Sequence, residues 1–480
     1  MCDLHLSDDQ NTLQYDVLKW ATNDILKNSP DIVAFVGDVT CDGNKEVYDY
    51  FIYEIENTKI PFLFVPGNSD LRHPLFRESI REKASVCKNE ICGIKIFAVN
   101  DCDRNISDLQ FKELDDADEK SIVFMHHPLG RHNDATNEKF ANWRKTHEKT
   151  LVVCGHLHKE QINENYILLG AMDPDKSVGE TPCLTYYDTD ARLIEKSNYD
   201  APVPEDIFDY FGISCYKVID EIKFATENKL KYLELRPNCA DYEDFEEIKS
   251  HIDLWRKSGG ENLSLHLSDV GWSDGKLIVS EKYEKLIEIA KTLKVDRLTQ
   301  HVPKASVKDV KENPKVLDEI SSYIAKKYNE ISHDVVIGIE NMHMTKNDKA
   351  DDTRRFGYLP YECMDFMNLV KEKTNHKVGI NFDIGHARNN VPYSQKYQIG
   401  TWLSIVGKYI VGYHIHQVYS KDGIVKNHTA IFDVYGHLIS FASFFKMWEL
   451  ERINKAPVIF EMREEGAYKI TLETFNEHKK

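Results

Sequence analysis

Two sets of residues in this 480-residue chain have the chemistry of metal sites. The first runs Asp3-Leu4-His5, then Asp38 and Asn68, each after a glycine, then His126-His127, and finally Gly155-His156-Leu157-His158. Carboxylate oxygens, imidazole nitrogens and an amide oxygen are what divalent Mn, Fe or Zn accept. Asp3 and His5 are two residues apart, so in an extended chain their side chains leave on one side and can share an ion. A carboxylate such as Asp38 can bridge two ions, and such a pair can clamp a phosphate and activate water.

These residues need elements to deliver them. "DIVAFVGD", "IPFLFVPGNSD", "SIVFMHHP" and "TLVVCGHLH" are short apolar runs that each end abruptly in polar, metal-capable side chains. That is the pattern of buried strands with chemistry at their ends. A single His-His before a proline is more often loop decoration; several such motifs in one order, each closing an apolar run, are not. "YILLG" and "CLTYYDTDARLIEK" read as a closing pair of strands. Only Met1 and Cys2 precede Asp3. Unless the chain starts further upstream, the Asp3–His5 pair is expected on a fraying terminus with a weakly held metal.

The second set lies beyond "NYDAPVPED" (198–206), a Pro-rich acidic stretch read as a linker. The expected division is a first domain at 1–197, a linker at 198–207 and a second domain at 208–480. Here "YFGISC", "KYLELRP", "NLSLHLSD", "DRLTQHVP", "VVIGIENM", "KVGINFDIGHA", "IVGYHIHQV" and "APVIFEMRE" alternate with helical patterns such as "SEKYEKLIEIAKTLK". Eight β/α alternations over about 270 residues have the rhythm of a (β/α)8 barrel, whose chemistry sits at the C-terminal strand ends. Those ends offer His266, His301, Glu340, Asp383 with His386, His414 with His416, then His428 and Glu461. Glu340, Asp383, His414 and Glu461 have the composition of a metal cage. "NMHMTKNDKADDTRRFGY" after the fifth run reads as a polar, mobile loop. Arg354, Arg355 and Lys421 could meet a phosphate, but such charged residues are usually just solvated.

The first set resembles the calcineurin-like metallophosphoesterases, whose order of DxH, GD, GN, an H before a turn and GHxH it follows over residues 1 to 197. The resemblance implies a β-sandwich with flanking helices. It also implies that Asp3, His5, Asp38 and His158 hold one metal and Asp38, Asn68, His126 and His156 the other. His126, the first residue out of its strand, is preferred over His127, which would support it. The catalytic set on this reading is Asp38, Asn68 and His126, with Asp70 and His127 beside them. Many relatives carry a histidine after Gly-Asn, whereas this chain reads Gly67-Asn68-Ser69-Asp70. Serine is no general acid near neutral pH, so a slower enzyme, or an easily expelled leaving group, is expected.

The second set resembles the xylose-isomerase-like barrels, which include sugar isomerases, epimerases and endonuclease IV. "IEN", "FDIGHA", "YHIH" and "FEM" carry the resemblance over 208–480. It implies a shared metal site of Glu340, Asp383, His414 and Glu461. His266, His301, His386 and His428 match the further ligands of the endonuclease IV branch, with Zn or Mn as the metal. That branch has an Asp-x-His where this chain has Lys426-Asn427-His428, so one or two ions are expected rather than three. The whole is thus expected to be an α/β protein: a metallophosphoesterase sandwich fused to a TIM barrel.

Composition bounds the rest. Formal charge is −18, and 41% of residues are hydrophobic against 29% charged. An acidic chain disfavours a broad grip on nucleic acid, so small phosphorylated substrates are expected. No run is apolar and long enough for a membrane span. The ten cysteines form no CxxC or paired framework and read as reduced thiols of a cytoplasmic protein. Cys41 and Cys154, close to the motifs, read as small buried hydrophobes. Three functions stay open: both domains catalytic, the head alone catalytic with the barrel as a recognition module, or a non-catalytic head with an isomerase or epimerase barrel. Substrate and oligomeric state are not legible.

Overall fold

A computed structural model describes residues 1–82, 88–350, 352–390, 393–421 and 424–479. The chain divides into two compact units, Met1–Ala201 with Tyr435–Ser443, and Pro202–Val434 with Phe444–Lys480. The return of 435–443 to the first unit carries no motif in the sequence. Its backbone is tied there by the Gly179 amide, which donates to the Tyr435 carbonyl at 2.8 Å. Among the described residues no helix is long and apolar enough to cross a membrane.

In the first unit each apolar run makes a short strand. Val33–Val36 and Phe62–Val65 pair in parallel. A second sheet orders Lys88–Ile91, Ile94–Ala98, Ile122–Phe124, Leu151–Cys154, Tyr166–Leu168 and Gln161–Asn163. The closing pair is the antiparallel hairpin Cys183–Asp188 with Leu193–Asn198. Val36 packs with Ile122, Leu151, Val153 and Ile167, and Leu63 and Val65 pack with Ile96 and Ala98. The two sheets therefore face one another as a sandwich. Helices cover the outer faces: Phe51 of Lys45–Glu56 lies edge-on to Phe35, and Phe140 and Trp143 of Asp134–Thr146 pack with Val123 and Val152.

The N-terminal segment is held rather than frayed. Asp3 and His5 donate through their amides to the carbonyls of Gly37 and Asp38, both at 2.9 Å. On the other side the amides of Met172 and Asp173 donate to the carbonyls of Cys2 and Asp3, at 3.0 and 2.9 Å. Asp3 is 0% and His5 2% exposed. The pairing that a terminal position lacks on its own comes from the two segments that flank it, at 37–38 and 172–173.

The second unit is a closed barrel of eight parallel strands. They are Phe211–Cys215, Tyr232–Leu235, Asn262–His266, Arg297–His301, Val336–Glu340, Val378–Asp383, Ile410–Ile415 and Val458–Phe460. Every expected run is a barrel strand. Helices such as Tyr283–Leu293 bury Leu286, Ile287, Ala290 and Leu293. Each fully buried aliphatic side chain of this kind contributes about 1.5–3 kcal/mol. The stretch expected as a mobile loop contains secondary structure among its described residues. It holds the helix Lys346–Ala350 and the strand Thr353–Arg355, which pairs with Lys304–Ser306.

Candidate metal centres

Five of the head's candidate ligands sit on strained backbone. Asp3, His5, Asp38, His156 and His158 all have positive φ, from 48 to 77°. A left-handed conformation costs a non-glycine residue on the order of 1–3 kcal/mol and persists only where the surroundings impose it. Here each turn aims a side chain at one point. Gly67 is needed for the same convergence, because a Cβ there would run into the Asp38 carboxylate and amide.

At that point the Nε2 atoms of His5 and His158 are 3.3 Å apart. Asp3 Oδ1 lies 3.5 Å from His158 Nε2 and 3.9 Å from His5 Nε2. Asp38 Oδ2 stands 3.8 Å from His5 Nε2 and 3.5 Å from His126 Nε2. Three overlapping groups each have ligand atoms within 4.8 Å of one another: Asp3, His5 and His158; Asp3, Asp38 and His126; His126, His127 and His156. Asp3 Oδ1, Asn68 Oδ1, His126 Nε2 and both ring nitrogens of His127 are buried without a hydrogen-bond partner. Each such atom costs about 1–3 kcal/mol, which a divalent cation would relieve. Burial alone would raise the Asp38 carboxyl. The His126 and His5 imidazoles and the Ser69 amide override it and hold it well below the ordinary carboxylate range. The donor set is anionic and fits divalent ions.

A supporting layer fixes these groups. His126 Nδ1 faces the Val36 carbonyl at 2.9 Å, which leaves Nε2 for the cluster. Asp101 accepts from the amides of His126 and His127, at 2.9 and 2.8 Å, and contacts His132 Nε2 at 2.8 Å. Asp101 was not among the expected site residues, although "IKIFAVND" is one more apolar run ending in a carboxylate. Asp70, expected in the catalytic set, turns to the backbone instead. It accepts from the Thr40 amide at 2.8 Å and the Gly67 amide at 2.9 Å. That makes it a positioning residue that ties the Asp38 turn to the Asn68 turn.

The barrel's candidate ligands sit where its strands end. His266, His301, Glu340 and Asp383 are the last residues of their strands, His414 the last but one, and Glu461 follows the eighth. Glu340 Oε2 is 3.3 Å from His266 Nε2 and 3.1 Å from His414 Nδ1, and Oε1 is 3.6 Å from His301 Nε2 and 3.3 Å from His386 Nδ1. His414 Nδ1 also lies 3.1 Å from Glu461 Oε2. Glu340, Asp383, His414 and Glu461 form one group with ligand atoms within 4.8 Å, and His266, His301 and Glu340 another. The His428 ring lies tilted against that of His416 at 4.2 Å between centroids and stands 3.6 Å from Glu461 Oε1. Glu340 Oε1 and Asp383 Oδ2 are buried and accept no hydrogen bond. Burial opposes ionisation of Glu340, but the His414 and His301 imidazoles hold its carboxyl well below the ordinary range.

Two barrel residues lay outside the expected set. Glu234, 0% exposed, stands 2.9 Å from His414 Nε2 and accepts from Thr299 Oγ1 at 2.8 Å. Arg236, two residues on and so on the same face, pairs with Glu461. The signal was a charged pair inside the apolar run "YLELRP". Of the basic residues weighed for phosphate, Arg354 pairs with Glu362 at 2.6 Å and Arg355 with Asp269 at 2.5 Å. The Lys421 side chain lies outside the described residues.

Residues 3–160 match the calcineurin-like phosphoesterase model. Residues 261–478 match that of the xylose isomerase-like TIM barrel. The chain joins one such domain to the other. The phosphoesterase head is 28% identical over 182 residues to the "Probable glycerophosphodiester phosphodiesterase GpdQ" of Arcobacter nitrofigilis, covering 32% of this chain and 66% of that one. A "Probable cyclic nucleotide phosphodiesterase" of Moraxella catarrhalis is 40% identical over 47 residues, 10% of this chain and 17% of that one. The chain thus spans less than two thirds of either curated relative. Among solved structures, a D-tagatose 3-epimerase-like protein has a TM-score of 0.38 and 20% identity, covering 56% of this chain and 98% of that one. A dimetal phosphatase from Danio rerio has a TM-score of 0.30 and 12% identity, covering 42% and 92%.

Proposed function

We propose that the head hydrolyses phosphate esters at a two-metal site and that the barrel is a second divalent-metal centre acting on a sugar phosphate, a nucleotide or a nucleic-acid end. The observation that carries the head's role is the place of Asp38, with His5 on one side at 3.8 Å and His126 on the other at 3.5 Å. One carboxylate so placed would serve two cations. Asp3, His5, Asp38 and His158 would hold the first, and Asp38, Asn68, His126 and His156 the second. Mn, Fe or Zn suits this mixed set, and Zn or Mn the barrel. When bound, such a pair supplies Lewis-acid polarisation of a phosphoryl oxygen and acidifies a water.

The chain's own residues do the rest. Asp38 is fixed by Ser69, so its two oxygens stay aimed. Ser69 offers no proton near neutral pH, and no imidazole stands at that position to assist departure. His127, buried with Nδ1 3.5 Å from Asp101 Oδ2 and Nε2 without a hydrogen-bond partner, is the nearby imidazole left to face a reacting group. A good leaving group, as in an activated diester, suits this arrangement. Both curated relatives are named for phosphodiester cleavage, which supports diesters. The net charge of −18 supports small substrates over nucleic acid. A cytoplasmic setting belongs to the same reading and rests on the cysteine pattern.

A second reading keeps the head as the only enzyme and the barrel as a recognition module. Arg236, whose guanidinium engages the Glu461 carboxylate, favours it, as does the lysine at 426. The test is hydrolysis of an aryl phosphodiester and an aryl phosphomonoester by the metal-stripped protein reloaded with Mn, Fe or Zn. Metal-dependent turnover of the diester is expected. A protein that takes up metal and turns over neither ester would overturn the head's role.

A further inference from the structure

Four short strands outside the barrel form a sheet of their own, in the order Lys276–Val279, Val270–Ser273, Lys304–Ser306 and Thr353–Arg355. They come from the connections after the third, fourth and fifth barrel strands, whose last residues are His266, His301 and Glu340. Gly271 pairs in parallel with Lys304, and Lys304 pairs with Arg355 on its other side. Asp269 stands at the start of this sheet, three residues past His266. Its Oδ1 lies 2.7 Å from His301 Nδ1. Its Oδ2 takes Nη2 of Arg355 at 2.5 Å, and Nη1 of the same arginine donates to the Val302 carbonyl at 3.3 Å. The last residue of the outer strand thus grips both the carboxylate on the His301 ring and the backbone next to His301.

Asp269 is half-exposed, and charge pairs so open to water add only about 0–1 kcal/mol to stability. What the pair does fix is the ring. An imidazole can turn either nitrogen to a cation, and the partner of one nitrogen decides which is left. With Nδ1 on Asp269, His301 turns Nε2 toward Glu340 Oε1 at 3.6 Å. The His266 ring lies edge-on to it at 4.6 Å between centroids. We propose that Asp269 is a positioning residue that aims His301 at the barrel's metal, and that Arg355 holds Asp269 there, so that docking of the strand 353–355 and metal occupancy are linked. This rests on the reading of the barrel as a divalent-metal centre. Linkage is reciprocal: a docked strand that strengthens metal binding is itself held by bound metal by the same factor. The amides that report docking are those of Phe356, which donates to the Pro303 carbonyl, and Val307, which donates to that of Asp352, both at 2.9 Å.

The probe is Zn, titrated calorimetrically into the metal-stripped full chain, with hydrogen exchange followed on peptides covering 303–307 and 353–356. Glu340→Gln marks which Zn belongs to the barrel. In the parent, Zn is expected to slow exchange in both peptides about tenfold. Asp269→Ala is expected to bind the barrel's Zn about 10–100-fold more weakly and to lose that slowing, with the head's metal count unchanged. Asp269→Asn, whose amide oxygen can still accept from Nδ1, should fall between the two. Arg355→Met should show a smaller loss in the same direction. Parent affinity in Asp269→Ala overturns the proposal. So does exchange at 353–356 that Zn leaves unchanged in the parent, an Asp269→Asn no better than Asp269→Ala, or a parent barrel that takes up no Zn. A barrel that holds Zn through Asp269 yet acts on no phosphorylated compound overturns its catalytic role alone.

Discussion

Ser69 donates twice to Asp38, from its amide at 2.7 Å and from its hydroxyl at 3.0 Å. The serine thus orients the carboxylate that stands between the two halves of the head's cluster. Removing the hydroxyl in Ser69→Ala leaves the amide bond in place. Groups that orient metal ligands are typically worth 10–100-fold in metal affinity or activity. Ser69→Ala is therefore expected to weaken head metal binding by about that factor, with stability falling by only about 1–2 kcal/mol. Metal titration of the variant checks this, and unchanged affinity contradicts it.

Asp101 carries His126 and His127 on its two oxygens. Burial raises its carboxyl, but His127 and His132 override that and hold it well below the ordinary range. A carboxyl with a depressed folded pKa contributes stability that is present above its unfolded value, about 4, and lost as pH falls through the depressed value. The parent should therefore lose Tm as pH drops below about 4, and Asp101→Asn should start lower and fall less steeply. Parallel Tm–pH curves would count against the assignment.

The residues that leave a strand at its end were legible in the sequence, because the change from apolar to metal-capable side chains marks both the strand and its chemistry. The structure places Asp38, His126, His156, Glu340 and Asp383 at or just beyond such strand ends. Residues that act from within a strand or through the backbone were not. Glu234 sits mid-strand, where one carboxylate in an apolar run points to no particular partner. Asp70 stands in a motif yet turns to amides, since side-chain direction follows from the turn and not from the spacing. The hold on Asp3 comes from segments near residues 37 and 172, a non-local pairing that no local pattern records.

Glu234 holds His414 by its Nε2 at 2.9 Å and leaves Nδ1 toward Glu340 and Glu461. Glu234→Gln keeps the shape but removes the charge. It is expected to lower barrel metal affinity by about 10–100-fold and to leave the head's metals in place. Metal counts per chain at limiting metal, read against the parent, check this. Loss of the head's metals instead would contradict it.

The barrel gathers Glu234, Glu340 and Asp383 at 0% exposure and Glu461 at 5%. Without a metal ion these charges face imidazoles, with Arg236 on Glu461 and Arg297 3.9 Å from Glu234. A ligand at a thousandfold its Kd stabilises by about 4 kcal/mol, which for a unit of this size is a Tm change of roughly 10 °C. Calorimetric melting with and without chelator should show a loss of that order, restored by Mn or Zn. An unchanged melt would mean that the carboxylates hold no metal.

The central claim is that phosphoester hydrolysis belongs to the head and runs through Asp38. The most direct measurement compares the turnover of an aryl phosphodiester by Asp38→Asn and Glu340→Gln, each loaded with Mn and checked for metal content. Asp38→Asn is expected to lose most of the turnover of the parent while Glu340→Gln keeps it. Turnover that survives in Asp38→Asn and disappears in Glu340→Gln would place the chemistry in the barrel and contradict it.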